Sequence, residues 1–252
     1  MSKELYPVGL ALSQGQTPRP KVAAEYLLER MATAGVREAY IILRPGKWDI
    51  PAYFGDGTSL AMHLAYLTVH VPYGVPFTLD QAFPFAGDHT IALGFPDILF
   101  WPENAYQVVL QRLEQSSADV VLGLFPTDEP SLVGLVDFDE HGRVLGIHEK
   151  SDITGLRFMW AIAVWRPTFS RFLHEFVERA LPDIHRDSAS GPAGTGRHRE
   201  YPIGDVIHAG IRSGLAVEAE IFERGRYIDI GTPRNLIRAV QQEMDVAHSG
   251  VD

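Results

Sequence analysis

Short apolar runs alternate with amphipathic, helix-length segments along most of the chain. Tyr6–Leu12 (YPVGLAL) has the character of a strand and is followed by a polar loop, Ser13–Pro20. Over Lys21–Ala34, the residues Val22, Tyr26, Leu27, Met31 and Ala34 fall on one helical stripe, with Glu25, Glu29 and Arg30 largely outside it. Gly35 supplies the C-cap. Ala39–Leu43 (AYIIL) reads as the second strand, ended by Arg44-Pro45-Gly46. This β-loop-α-β opening predicts an α/β protein with a doubly wound, Rossmann-like sheet. A Gly-rich turn, Gly55-Asp56-Gly57, precedes a strand around Leu64–Val69. Pro72-Tyr73-Gly74 makes a turn, and Phe77–Phe83 predicts a short helix. Ile91–Leu93 is an apolar run closed by Gly94 and Pro96, which suits a strand buried on both faces. A helix over Glu103–Gln115 and a strand over Asp119–Leu124 follow.

Past Pro130 the pattern changes. Leu132–Phe138 and Val144–His148 flank Asp139-Glu140-His141-Gly142, an antiparallel hairpin signature. Met159–Trp165 predicts a strand, Thr168–Ala180 a helix, and Ser188–Gly196 (SASGPAGTG) a mobile surface loop. Ile203–Ser213 reads as a helix, Leu215–Ile221 as a strand, and Tyr227-Ile228 as a very short strand ending at Asp229. Pro233 opens a helix over Arg234–Met244. With no repeat and no linker, the pattern predicts one domain over 1–252, a mixed, mostly parallel sheet flanked by helices, with a small antiparallel β insertion at about 131–166.

Composition narrows the function classes. Of 252 residues, 46% are hydrophobic and 21% charged, as in a soluble globular protein. Lys and Arg total 22 against 32 Asp and Glu, and the net charge of -10 argues against nucleic acid as the main partner. There is no Cys, which excludes disulfides and thiolate metal sites. The N-terminal apolar run is too short and Gly-broken for a signal peptide, and no later run spans a bilayer. The expected location is cytoplasmic, with no membrane partner.

Two acids end short apolar strands, Asp97 after Ile91–Leu93 and Asp229 after Tyr227-Ile228. Strand ends of a parallel sheet converge on one edge, where such folds bind ligands. Two carboxylates meeting near phosphate suit Mg²⁺, which completes its shell with water and phosphate oxygens. The competing roles are local. Asp97 can cap the next turn, and Asp229 can cap the helix at Pro233, a task Gly231-Thr232 can also fill.

The order of segments resembles the sugar-1-phosphate nucleotidylyltransferases, a family that includes glucose-1-phosphate thymidylyltransferases. Val22–Val36 is similar to that family's first helix, and Gly55-Asp56-Gly57-Thr58 to its Gly-Asp-Gly-Ser turn. Leu93–Phe100 resembles its LxGDNIF segment with two residues added. Val133–Asp139 with Gly142 resembles the YGVVEFDxxG hairpin, and Ile147–Lys150 the EEKP motif. Tyr227–Leu236 is similar to W-x-D-x-G-T-x-x-x-L. The resemblance implies transfer of a nucleotidyl group from a nucleoside triphosphate to a sugar 1-phosphate, with pyrophosphate released, and a homo-oligomer. It implies Mg²⁺ on Asp97 and Asp229, Lys150 on the sugar phosphate, Glu149 on sugar hydroxyls, and Gly134 against the sugar ring. Without the resemblance, Glu149-Lys150 reads as a solvated strand end.

The departure lies in the phosphate loop. The family carries GGxGTRL after its first strand, then a Lys in a PKPLLP-like stretch before the first helix. The glycines let backbone N–H groups cradle phosphate oxygens. Here the stretch in that place is Ser13–Pro20, with two prolines that remove donors, and only Lys21 to serve as the Lys. The resemblance then implies nucleotide contacts from Leu12, Gly15, Gln16, Thr17 and Gly74, and charge neutralisation by Arg19. A second alignment matches Leu5-Tyr6-Pro7 to the residues after the family's Arg. It is rejected because the family's first strand is central, and its loss leaves two buried strands unpaired; Tyr6–Leu12 is expected to fill that slot. The alternative function is a catalytically degenerate relative that binds a nucleotide sugar or serves as a regulatory or assembly subunit. A nucleotide-sugar-dependent glycosyltransferase is less favoured, since no Asp-x-Asp motif ends a strand.

Overall fold

The computed structural model describes residues 1–11, 19–70, 73–149, 155–190 and 200–249. The twelve strands among them are β1 (Pro7–Ala11), β2 (Arg19–Val22), β3 (Glu38–Leu43), β4 (His63–Thr68), β5 (Ile91–Leu93), β6 (Ile98–Trp101), β7 (Val120–Pro126), β8 (Gly134–Phe138), β9 (Val144–Glu149), β10 (Phe158–Trp165), β11 (Val217–Ile221) and β12 (Arg226–Asp229). The helices are α1 (Ala23–Thr33), α2 (Asp49–Phe54), α3 (Val75–Asp80), α4 (Phe83–Ala86), α5 (Ala105–Gln115), α6 (Pro167–Ser190), α7 (Ile203–Arg212) and α8 (Pro233–Ser249). The expected loop at Ser188–Gly196 is helical as far as Ser190, and its remainder lies outside the described residues.

The main sheet runs β11-β7-β10-β8-β9, with β5 also on β10. β7 and β11 pair in parallel, and the other pairings are antiparallel. Its centre is apolar on both faces because helices cover both. Along β7, Val121 and Phe125 join one core with Leu27, Met31, Val109 and Leu113 from α1 and α5. Val120, Leu122 and Leu124 join the other with Phe169, Val177, Val206 and Ile207 from α6 and α7. That two-residue alternation is what a strand buried on both sides imposes. This is the α/β architecture with a mixed sheet and flanking helices that the sequence pattern predicts.

The first strand does not take its expected place. β1 pairs antiparallel with β2, as a separate two-stranded ribbon, over Pro7–Ala11 and Arg19–Val22. Val8 packs with Leu99, Ile228, Ile230 and Ala239, beside α8 rather than inside the main sheet. The physical reason is that PVGLA is one-sided: Val8 is buried while Pro7 is exposed and Leu10 is 55% exposed. A strand in the middle of a covered sheet hides both faces.

β3 and β4 form their own parallel pair. Among the described residues no strand pairs with the second edge of β3 or of β5. Tyr106 Oη donates to the Leu93 carbonyl oxygen at 2.8 Å, so a side chain serves part of β5's backbone. The alignment that puts Leu5-Tyr6-Pro7 just after the family's Arg is thus the one that agrees with the observed pairing, and it places Glu4 at that Arg position.

Candidate active site

β5 and β8 share one edge of β10. Leu93 lies opposite Ala163 and Leu135 opposite Met159, both strands antiparallel to β10. The carboxyl end of β5 and the amino end of β8 therefore point at each other across an opening along Trp160, Ala161 and Ile162 of β10. The β10 partners of Leu93 and Leu135 are four steps apart, roughly 13 Å at about 3.3 Å per residue. Phe95, just past β5, packs against the buried Trp160 of β10, with ring centroids 5.9 Å apart.

On the β5 side the chain passes through Asp97 into β6, which pairs with β12. Asp229 lies opposite Ile98, and Ile230 N donates to the Asp97 carbonyl oxygen at 2.9 Å. The backbones of the two acids are thereby diagonal neighbours at one end of a two-stranded ribbon. Asp229 Oδ1 accepts from Gly231 N at 2.7 Å, while Thr232 Oγ1 caps α8 by accepting from Asn235 N at 3.2 Å. The helix cap is Thr232, so Asp229 is not required for it. Lys3 donates from Nζ to Asp97 Oδ2 at 2.5 Å. Burial pushes the Lys3 ammonium down, but the hydrogen bond and charge of Asp97, then the charges of Asp229 and Glu4, outweigh it and hold lysine above its ordinary value.

Two aspartates at neighbouring strand ends are the donor type of a hard divalent cation that keeps water and phosphate in its shell. Among the described residues no cluster of three or more His, Asp or Glu offers a fuller metal cage.

On the β8 side, Gly134 lies opposite Glu149. A Cβ at Gly134 would come within 2.8 Å of Glu149 Oε1, and one at Gly204, in the first turn of α7, within 2.1 Å. Both glycines make room for that carboxylate, which rests against the amino end of a helix where negative charge is favoured. Gly134 thus faces Glu149 before it faces any ligand. Lys150 lies outside the described residues, as do Leu12, Gly15, Gln16 and Thr17.

Three expected contributors are engaged elsewhere. The Arg19 guanidinium pairs with the buried Glu25 through both nitrogens, with Tyr53 Oη beside them. Burial pushes Glu25 up, but Arg19 and the Val22 N–H, which donates to Glu25 Oε2 at 3.3 Å, leave it below its ordinary value. Lys21 pairs with Glu29 and sits 4.0 Å over the Tyr26 ring. Gly74 has φ +107, and a Cβ there would lie 2.4 Å from the Tyr201 carbonyl oxygen, so backbone packing accounts for it.

Lys3, Phe95, Trp160 and Gly204 carry no motif of their own. Tertiary packing alone places them: Lys3 through the segment pinned by Asp49 and Lys47, Trp160 on β10, and Gly204 in α7.

Comparison with known proteins gives the same assignment. The profile of the nucleotidyl transferase family matches residues 3–245. The glucose-1-phosphate thymidylyltransferase of Mycolicibacterium smegmatis is 30% identical over 244 residues, 93% of this chain and 76% of that protein. The enzyme of the same name from Neisseria gonorrhoeae is 27% identical over 93% of this chain and 76% of its own length. Among solved structures, an apo UDP-glucose pyrophosphorylase superposes with a TM-score of 0.73 over 97% of this chain and 91% of that one, at 15% identity, which supports the fold. The chain is a member of the nucleotidyl transferase family, among the sugar-1-phosphate nucleotidylyltransferases.

Proposed function

We propose that the protein transfers a nucleotidyl group from a nucleoside triphosphate to a sugar 1-phosphate, releasing pyrophosphate. The observation that carries the reading is the opening on β10, with neighbouring acids Asp97 and Asp229 at one side and Gly134, Glu149 and Gly204 at the other. A sugar 1-phosphate bridging it would place its hydroxyls toward Glu149 and its phosphate toward the acids. Catalysis of phosphoryl-type transfer is largely positioning and neutralisation of charge. Mg²⁺ held by Asp97 and Asp229 would supply that neutralisation. Glu149, fixed by two glycines and a helix terminus, would orient the sugar by accepting its hydroxyl protons. Lys150 would pair with the sugar phosphate.

The test is pyrophosphate release by the purified protein with a panel of triphosphates, sugar 1-phosphates and Mg²⁺. Turnover with at least one pair is expected, and Asp97→Asn and Asp229→Asn should each lower it by about a hundredfold or more. Near-normal turnover in either variant would remove the acids from the mechanism.

A second reading has its own support. Asp97 is held by Lys3, a contact that suits a non-catalytic binder of nucleotide sugars. Its signature is nucleotide-sugar binding with no pyrophosphate released from any pair.

A further inference from the structure

We propose that Lys3 is the resident counter-cation of the Asp97–Asp229 pair, and that a divalent cation reaches the pair only by displacing it. This rests on the reading of those two acids as a metal site. The first observation is direct: Lys3 Nζ lies 2.5 Å from Asp97 Oδ2, and the β6–β12 register sets Asp229 opposite Ile98, one position along the ribbon from Asp97. The second is that the segment bearing Lys3 is pinned on both sides. Ser2 N and Oγ donate to the two oxygens of Asp49 at 2.6 and 2.7 Å. Glu4 is buried and accepts from Lys47 Nζ at 2.5 Å, and Leu5 is buried in the core. A terminal lysine on a loose chain loses much freedom when it pairs. Here the backbone on either side is already ordered, so the ammonium is delivered to Asp97 at little further cost.

The consequence is electrostatic. Two carboxylates offer a divalent ion two negative charges, and with Lys3 in place the cluster carries one. Any ion that enters must also tolerate a positive charge a few ångströms away. The Lys3 side chain is 43% exposed, so it can swing into solvent when a better cation, or a cation with its phosphates, arrives. Lys3 is thus a positioning residue that makes metal occupancy depend on what else binds.

Mn²⁺ binding to the full chain without nucleotide, followed by the EPR signal of the free ion, tests this without requiring turnover. Lys3→Met and Lys3→Gln are each expected to bind Mn²⁺ at least tenfold more tightly than the unmodified protein, and Lys3→Arg to show no gain. Adding Asp97→Asn to Lys3→Met should abolish the gain. Measurable but equal affinity in the unmodified protein and both neutral variants would overturn the role of Lys3 and leave the metal reading standing. A gain that survives Asp97→Asn would also overturn it, because the ion would then sit elsewhere. Absence of Mn²⁺ binding in every variant would overturn the metal reading and this inference with it. The pyrophosphate assay above is independent of these outcomes.

Discussion

Arg19 and Glu25 show how a residue matched by motif can be claimed by its neighbours. Glu25 is 2% exposed, and a buried carboxylate without its partner is strongly unfavourable. Arg19→Ala is therefore expected to lower stability by about 1–3 kcal/mol while changing kcat less than about threefold. Chemical denaturation and steady-state kinetics on one preparation check both, and a large kcat loss at unchanged stability would return Arg19 to the chemistry. The pH dependence has a definite sign. Glu25 titrates below its ordinary value in the folded state, so its contribution is full above the unfolded carboxylate pKa, about 4.3. It is lost as pH falls through the folded value. Glu25→Gln should flatten the acid limb of the stability profile, measured as denaturation midpoints from pH 3 to pH 7.

At the scale of elements, the two glycines around Glu149 carry a comparable expectation. A Cβ at Gly204 would meet Glu149 Oε1 at 2.1 Å and Ile147 Cγ2 at 2.9 Å, so Gly204→Ala should cost about 1–3 kcal/mol. Part of that loss should disappear in a Glu149→Ala background, since the two substitutions share one contact. Equal losses in both backgrounds would mean Ile147 or the backbone is the obstacle. Which elements were legible in the sequence follows from the range of the forces that form them. β7, β10 and the stripe of α1 are set by local periodicity and are plain in the pattern. β2 was not, because Arg19-Pro20-Lys21-Val22 has one buried residue and is a strand only through pairing with β1. The two acids of the proposed site can be named from sequence because each aspartate follows a short apolar run. Lys3 cannot be, since a single charged residue has no periodicity to mark it. The place of β1 is not legible for a related reason: YPVGLAL states that a strand forms, and only its exposed Leu10 and Pro7 state where.

For the whole molecule, the distribution of pairing implies uneven protection. β7 and β10 have partners on both edges, whereas β3 pairs only with β4 among the described residues. Backbone amides of Glu38–Leu43 that face away from β4 should exchange with solvent at least about a hundredfold faster than those of Val120–Phe125, because local opening there needs no global unfolding. Hydrogen exchange resolved by residue measures this, and equal protection in the two strands would show the β3 edge to be covered. No helix among the described residues is long and apolar enough to cross a membrane. The placement of β5 and β8 on one edge of β10, with the β6–β12 ribbon following β5, is what gathers the residues of the proposed site, and its chemistry has one direct test. Incubation with a nucleoside triphosphate, a sugar 1-phosphate and Mg²⁺, followed by mass spectrometry of the products, should reveal a nucleotide sugar with the unmodified protein and none above background with Asp229→Asn. A panel in which no nucleotide sugar forms with any pair, or in which Asp229→Asn forms as much as the unmodified protein, would contradict nucleotidyl transfer at this site.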